Sequence, residues 1–100
     1  MVLDVAALIG EADALSREAG ERLAAATLGR LPAALALDFS AITAINSAFM
    51  AGFLHAVVRT TSLDQLRAKV AFRGLSSSGA EVVRNSIRRV REQLAAGQVS

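Results

Sequence analysis

The 100-residue chain has no cysteine, tryptophan or tyrosine, one proline and one histidine, and Lys69 is its single lysine. Without cysteine there is no disulfide, no thiolate metal site and no cysteine nucleophile, and zinc ribbons and redox motifs go with them. A reducing cytoplasm fits that composition. With His55 alone, a transition-metal site would have to rely on carboxylates, which show no clustered ligand spacing, so no metal is expected. Four phenylalanines are the whole aromatic complement, which predicts a core of Leu, Val, Ile and Ala packed closely. The lack of tyrosine and cysteine also explains the isoelectric point near 10.4. No side chain titrates between histidine and lysine, so a net charge of +2 carries it that high. No Walker-type or G-x-G-x-x-G sequence is present, and no cofactor is expected. Asp4 and Glu11 interrupt the amino end early, where a signal peptide would need a long apolar stretch.

What remains is apolar and unevenly charged. Hydrophobic residues make up 53% of a chain of ordinary domain length, enough for one core and one domain over residues 1–100. Residues 1–30 are net acidic and residues 71–100 net basic; a basic end of this kind can meet phosphate or an acidic partner. Residues 41–58 carry no formal charge at neutral pH and approach the length of a membrane span. Thr43, Asn46, Ser47 and His55 lie inside that run, and Asp38 and Arg59 flank it, which favours a helix buried in a protein core over a membrane helix.

The pattern alternates between strand and helix. Val2–Val5 is a short strand candidate. From Asp13 to Gly29, Leu15, Ala19, Leu23 and Ala26 recur at helical spacing, with Asp13 expected as N-cap and Gly29 just past the end. Pro32 breaks the chain, and Ala33–Phe39 reads as a continuous apolar strand covered on both faces. Asn46 or Ser47 caps a second helix, from about Ala48 to Thr61. Lys69–Arg73 alternates as a strand, with Val70 and Phe72 on one face, and Gly74 ends it. Ser78 followed by Glu81 forms a capping-box pattern. Behind it Val83, Ile87, Val90 and Leu94 line one helical face, while Arg84, Arg88 and Arg91 line another. This order predicts an α/β sandwich with a mainly parallel sheet of three or four strands and about three helices, joined by right-handed crossovers.

The stretch Leu35–Leu54 (LALDFSAITAINSAFMAGFL) carries the most information, because loops after strand carboxyl ends are where α/β folds place binding sites. A strand ending LDFS, an Ile-x-x-Ile turn and Ser-Ala-Phe opening a helix resemble the STAS-like family, related to the STAS domains of bacterial anti-sigma-factor antagonists. Ala14–Leu23 and Val70–Ile87 are compatible with that family's first helix and its last strand and helix. The resemblance implies a non-enzymatic regulatory domain that binds a protein partner, such as a kinase-like regulator, through the loop before its second helix. The anti-sigma-factor antagonists carry Asp-Ser-Ser-Gly at this turn, and the second serine is phosphorylated. Here the tetrad is Asn46-Ser47-Ala48-Phe49, so the phosphoacceptor position holds alanine and Ser47 is the one hydroxyl left.

Asp38, Ser40, Asn46, Ser47, Phe49 and Met50 are therefore the expected partner-binding residues. Ser47 is a candidate for phosphorylation at a helix N-terminus, or else simply a helix cap. Asp38 either orients a partner or holds the turn through backbone amides. A Ser47–His55–Asp38 triad can be drawn, but the chain has no nucleophile elbow, and no catalytic residue is expected. Ser76–Gly79 is a polar loop whose Ser78 is explained by capping. Arg84, Arg88 and Arg91 are the alternative surface, for phosphates of a nucleic acid or an acidic protein face. No aromatic is interleaved for base stacking, which ranks nucleic acid below a protein partner. A homodimer that covers an exposed strand edge or apolar face is the remaining expectation.

Overall fold

The structure is a computed structural model and describes residues 1–31 and 33–97; the expected break at Pro32 lies outside them. The elements run β1 (Val2–Asp4), α1 (Val5–Ile9), β2 (Asp13–Ala14), α2 (Arg17–Leu28), β3 (Leu35–Asp38), β4 (Ala44–Ile45), α3 (Ser47–Val58), α4 (Leu63–Lys69), β5 (Val70–Arg73) and α5 (Ser77–Ala95). The class is α/β. A parallel three-stranded sheet has the order β1-β3-β5, and β2 and β4 form a separate parallel pair.

Each longer helix begins where a short polar side chain replaces water for an unpaired amide. Ser16 accepts from Ala19 N, Asn46 from Phe49 N, Ser62 from Gln65 N and Ser76 from Gly79 N. Two of the expected caps are thereby corrected. Asp13 is not a cap, because the helix starts four residues later and Asp13 lies in β2. Ser78 is already inside α5, and Ser76 supplies the cap. The residues around the expected three helices also fold further: α1 is a single short turn, and α4 fills the segment between α3 and β5.

The strand order fixes which face of the sheet is covered. The chain steps from β1 to β3 to β5 in one direction, so two right-handed crossovers place their helices on the same face. The burial pattern agrees: Leu3, Leu35, Leu37 and Val70 point inward and are buried, while Val2, Asp4, Ala71 and Arg73 are exposed. The expectation that β3 is covered on both faces does not hold. Its apolar run is continuous because the outward position is Ala36, which lies in register between Val2 and Ala71. Its small side chain is shielded to 7% exposure without a helix above it.

On the covered side α3 is the centre. It packs against α2, α4 and α5, which is why it is apolar nearly all round and why residues 41–58 carry no formal charge. Among the described residues no helix is long and apolar enough to cross a membrane. Phe49, Phe53, Leu54 and Val57 are fully buried, and Phe72 on β5 meets Phe39 and Phe53 edge-on at 6.0 and 6.3 Å between ring centroids.

The α2–α3 contact is closer than side chains normally permit. A β-carbon on Gly20 would lie 2.7 Å from Phe53 N and collide with the Phe49 carbonyl. One on Gly52 would lie 2.9 Å from Arg17 Cγ and strike the Arg17 carbonyl. Since the obstacles are mostly backbone, the helices can admit a methyl group only by separating. Gly20→Ala is therefore expected to destabilise the protein by about 2 kcal/mol or more, despite alanine's higher helix propensity. Thermal unfolding should show a fall in Tm on the order of 10 °C. Gly29→Ala, where the nearest atom is 3.4 Å away, should leave Tm unchanged or slightly raised. An unchanged Tm for Gly20→Ala would show that the close approach does not exist.

Candidate functional site

The carboxyl ends of β3 and β5 lie side by side, with Asp38 in register with Arg73. Phe39 N donates to Arg73 O at 2.8 Å, which carries the pairing one residue past the strand. The chain then turns sharply. Asp38 Oδ1 accepts from Ser40 N at 3.0 Å and from the Ser40 hydroxyl, and Ile42 N closes a turn on Phe39 O at 2.9 Å. The two Ser40 hydrogen bonds hold the Asp38 carboxyl below the usual carboxylate range, with a smaller contribution from the Arg73 guanidinium. Gly74 adopts φ of 72° directly against this turn. A β-carbon there would run into Ser40 and the Asp38 carboxylate, so glycine is required by conformation and by space.

Past the turn, the loop is tied to the segment before α2. Thr43 N donates to Ala12 O at 2.8 Å, and the Thr43 hydroxyl reaches Asp13 Oδ1 at 2.7 Å. Asn46 N donates to Ala14 O at 3.1 Å. The Asn46 side chain works at both ends: Oδ1 accepts from Phe49 N at 3.0 Å, and Nδ2 donates to Leu15 O at 3.1 Å. A cap of this kind is worth about 1 kcal/mol. Asn46 therefore fixes the start of α3 and anchors it to the neighbouring strand, a job an aspartate could do only in part because it has no N–H to offer Leu15.

Between this loop and the one leading into α5 lies a cleft of about 210 Å³. Phe39, Ile42, Ile45, Leu75 and Val82 give it an apolar lining, Thr43, Ser76 and Ser78 contribute hydroxyls, and among the described residues no charged side chain lines it.

The expected binding residues divide into three groups. Asp38, Ser40 and Asn46 are spent on building the turn and the cap. Ser47 is exposed as the first residue of α3; since Asn46 does the capping, Ser47 does not. Phe49 and Met50 point the other way, 0% and 1% exposed in the core, and are corrected as partner contacts. The first turn of α3 presents Ser47 and Ala48 instead.

The triad does not assemble. Arg17 Nη2 lies 3.3 Å from His55 Nδ1, and Gln93 Oε1 lies 3.2 Å from Nε2. A guanidinium can only donate, so Nδ1 accepts and the ring proton sits on Nε2, facing Gln93. Asp38 is engaged with Ser40. Among the described residues no three His, Cys, Asp or Glu side chains cluster as a metal site. Arg84, Arg88 and Arg91 are exposed on α5, with Arg88 held by Asn85 Oδ1 at 2.9 Å. The one ion pair among the described residues, Arg22–Glu11, lies elsewhere.

Because folding lowers the pKa of Asp38, its charged form stabilises the turn above the ordinary carboxylate range. That contribution is lost as pH falls through the lowered value. Urea unfolding should find the wild type more stable than Asp38→Asn at about pH 7, with the gap closing below about pH 4. A gap of the same size at both pH values would contradict this account. Compared with protein-family models, curated proteins and solved structures, the chain has no match.

Proposed function

We propose that this chain is a non-enzymatic regulatory module of the STAS-like kind, which captures a protein partner at the carboxyl edge of its sheet. The observation that carries the reading is the uncharged cleft between the β3–β4 loop and the start of α5, with exposed Ser47 at the end of the same loop. Its apolar lining suits an aliphatic or aromatic side chain from a partner, and its hydroxyl groups can hydrogen-bond the partner's backbone. The walls are pre-formed, held by the Asp38–Ser40 turn, the Thr43–Asp13 contact and the Asn46 cap. Binding then spends little free energy on ordering the loop. The α/β class and the LDFS…SAF resemblance support the same location.

A second reading is that Ser47 carries a regulatory phosphate, and one observation favours it. Asn46, not Ser47, caps α3, so the Ser47 hydroxyl is exposed beside the helix N-terminus, where negative charge is stabilised. A phosphate there would add close to two negative charges at the edge of an uncharged surface and so alter partner affinity.

Affinity capture from the source organism tests both readings. Ala44 is exposed and lines the cleft, so Ala44→Arg should block it with the Tm unchanged. Capture of the partner is expected to fall at least about tenfold, since a well-filled pocket contact is worth about 1.4 kcal/mol or more. Ser47→Asp should change capture in the same assay, and intact-mass measurement of the native protein should find a fraction heavier by one phosphate. Full capture by Ala44→Arg would rule out the cleft. Unmodified mass under every growth condition would rule out the phosphate.

A further inference from the structure

A second concavity lies between α3 and α5, where Ala51 and Val90 form an apolar floor and polar side chains stand around it. Ser47, Ala51 and His55 stand one above another on α3, facing Ser86, Arg89 and Gln93 of α5 across a space of about 140 Å³. Ser86 is the telling residue. Among the described residues it is one of two buried polar ones, at 7% exposure; the other, Thr27, is satisfied by Leu23 O at 2.8 Å. Among the described residues no fully enclosed side-chain polar atom lacks a partner, and none of them hydrogen-bonds the Ser86 hydroxyl. That hydroxyl therefore opens into the groove it lines, where water or a ligand can reach it.

The groove's donors all suit one kind of ligand. Arg89 brings a permanent positive charge, and Ser47 and Ser86 bring hydroxyl groups. Gln93 accepts the His55 proton through Oε1, which leaves its amide N–H groups to donate. Among the described residues no carboxylate lines the space, so these offer a metal cation no ligand set, and an apolar molecule would leave these donors unpaired. The space is large enough for a small tetrahedral oxyanion together with ordered water.

We propose that the α3–α5 groove is a binding site for a small tetrahedral oxyanion of the phosphate or sulfate class, held by Arg89, Ser86 and Ser47. The inference does not rest on the partner-docking reading, since it shares only Ser47 with that surface. It does connect the two, because an anion at Ser47 occupies the place a phosphate on that residue would take.

Titration of the ¹⁵N-labelled full chain with inorganic phosphate, at constant ionic strength, tests it. Saturating shifts are expected at the amides of Ser47, Ser86, Arg89 and Gln93, with sulfate moving the same set. Arg89→Gln should weaken binding at least about tenfold, and Ser86→Ala by several-fold. Arg84→Gln, equally charged but outside the groove, should leave it unchanged. The unaltered spectrum elsewhere would show that each variant is folded. Shifts that grow linearly without saturating would overturn the proposal. So would equal losses from Arg84→Gln and Arg89→Gln, which mark unspecific attraction to arginine, or unchanged binding by Arg89→Gln.

Discussion

The contact between α2 and α3, made through Gly20 and Gly52 with backbone against backbone, sets the position of everything that borders the candidate site. Dispersion falls off steeply with distance, so two helices that approach this closely gain contacts that ordinary side chains would prevent. The approach also brings the starts of the two helices together. Arg17 opens α2 and lies over Gly52, while Asn46 opens α3 and reaches back to Leu15. That juxtaposition lets β2 and β4 pair over only two residues each, a ladder too short to hold itself. It also puts Arg17 within reach of His55, which fixes the tautomer on one wall of the α3–α5 groove.

The sheet pays for this arrangement with one uncovered face. A parallel sheet is normally buried on both sides, but the steady advance from β1 to β3 to β5 leaves no crossover to cover the second. The consequence is softened by composition. Outward positions are Val2, Ala36 and Ala71 at one level and Asp4, Asp38 and Arg73 at the next. Ala36 and Ala71 expose little apolar surface beside Val2, and the charged row hydrates the rest. The core must therefore come from one side alone, which explains why α3 contributes nearly every one of its turns to it.

The parts of this fold that were legible in the sequence are those set by local chemistry. The apolar β3, the alternation of Val70 and Phe72 and the amphipathic α5 each follow from a period of two or of 3.6, and their order alone indicates α/β with parallel strands. Caps were legible as a residue type but not as a position. Three consecutive serines at Ser76–Ser78 offer three registers, and the packing of Gly79 at the α5 start selects Ser76. The two-residue strands carry no periodicity at all; only the tertiary contact with Thr43 and Asn46 creates them. Phe49 and Met50 were misplaced because an uncharged helix has no polar face to orient it. Its facing is decided by α2, α4 and α5 together. The α3–α5 groove was invisible for a related reason: Ser86 sits 39 residues from Ser47, and nothing in either neighbourhood marks the pair.

The α2–α3 contact should be the most strongly held part of the molecule, with the sheet edge and the loops depending on it. Native-state hydrogen exchange reads this directly, because each amide reports the free energy of the opening that exposes it. The account predicts that the buried amides of α2 and α3, from Leu23 to Thr27 and from Phe53 to Val57, exchange only through global unfolding and with one common free energy, while β1 and α1 open more readily. Exchange from α3 at a lower free energy than from β1 would contradict it.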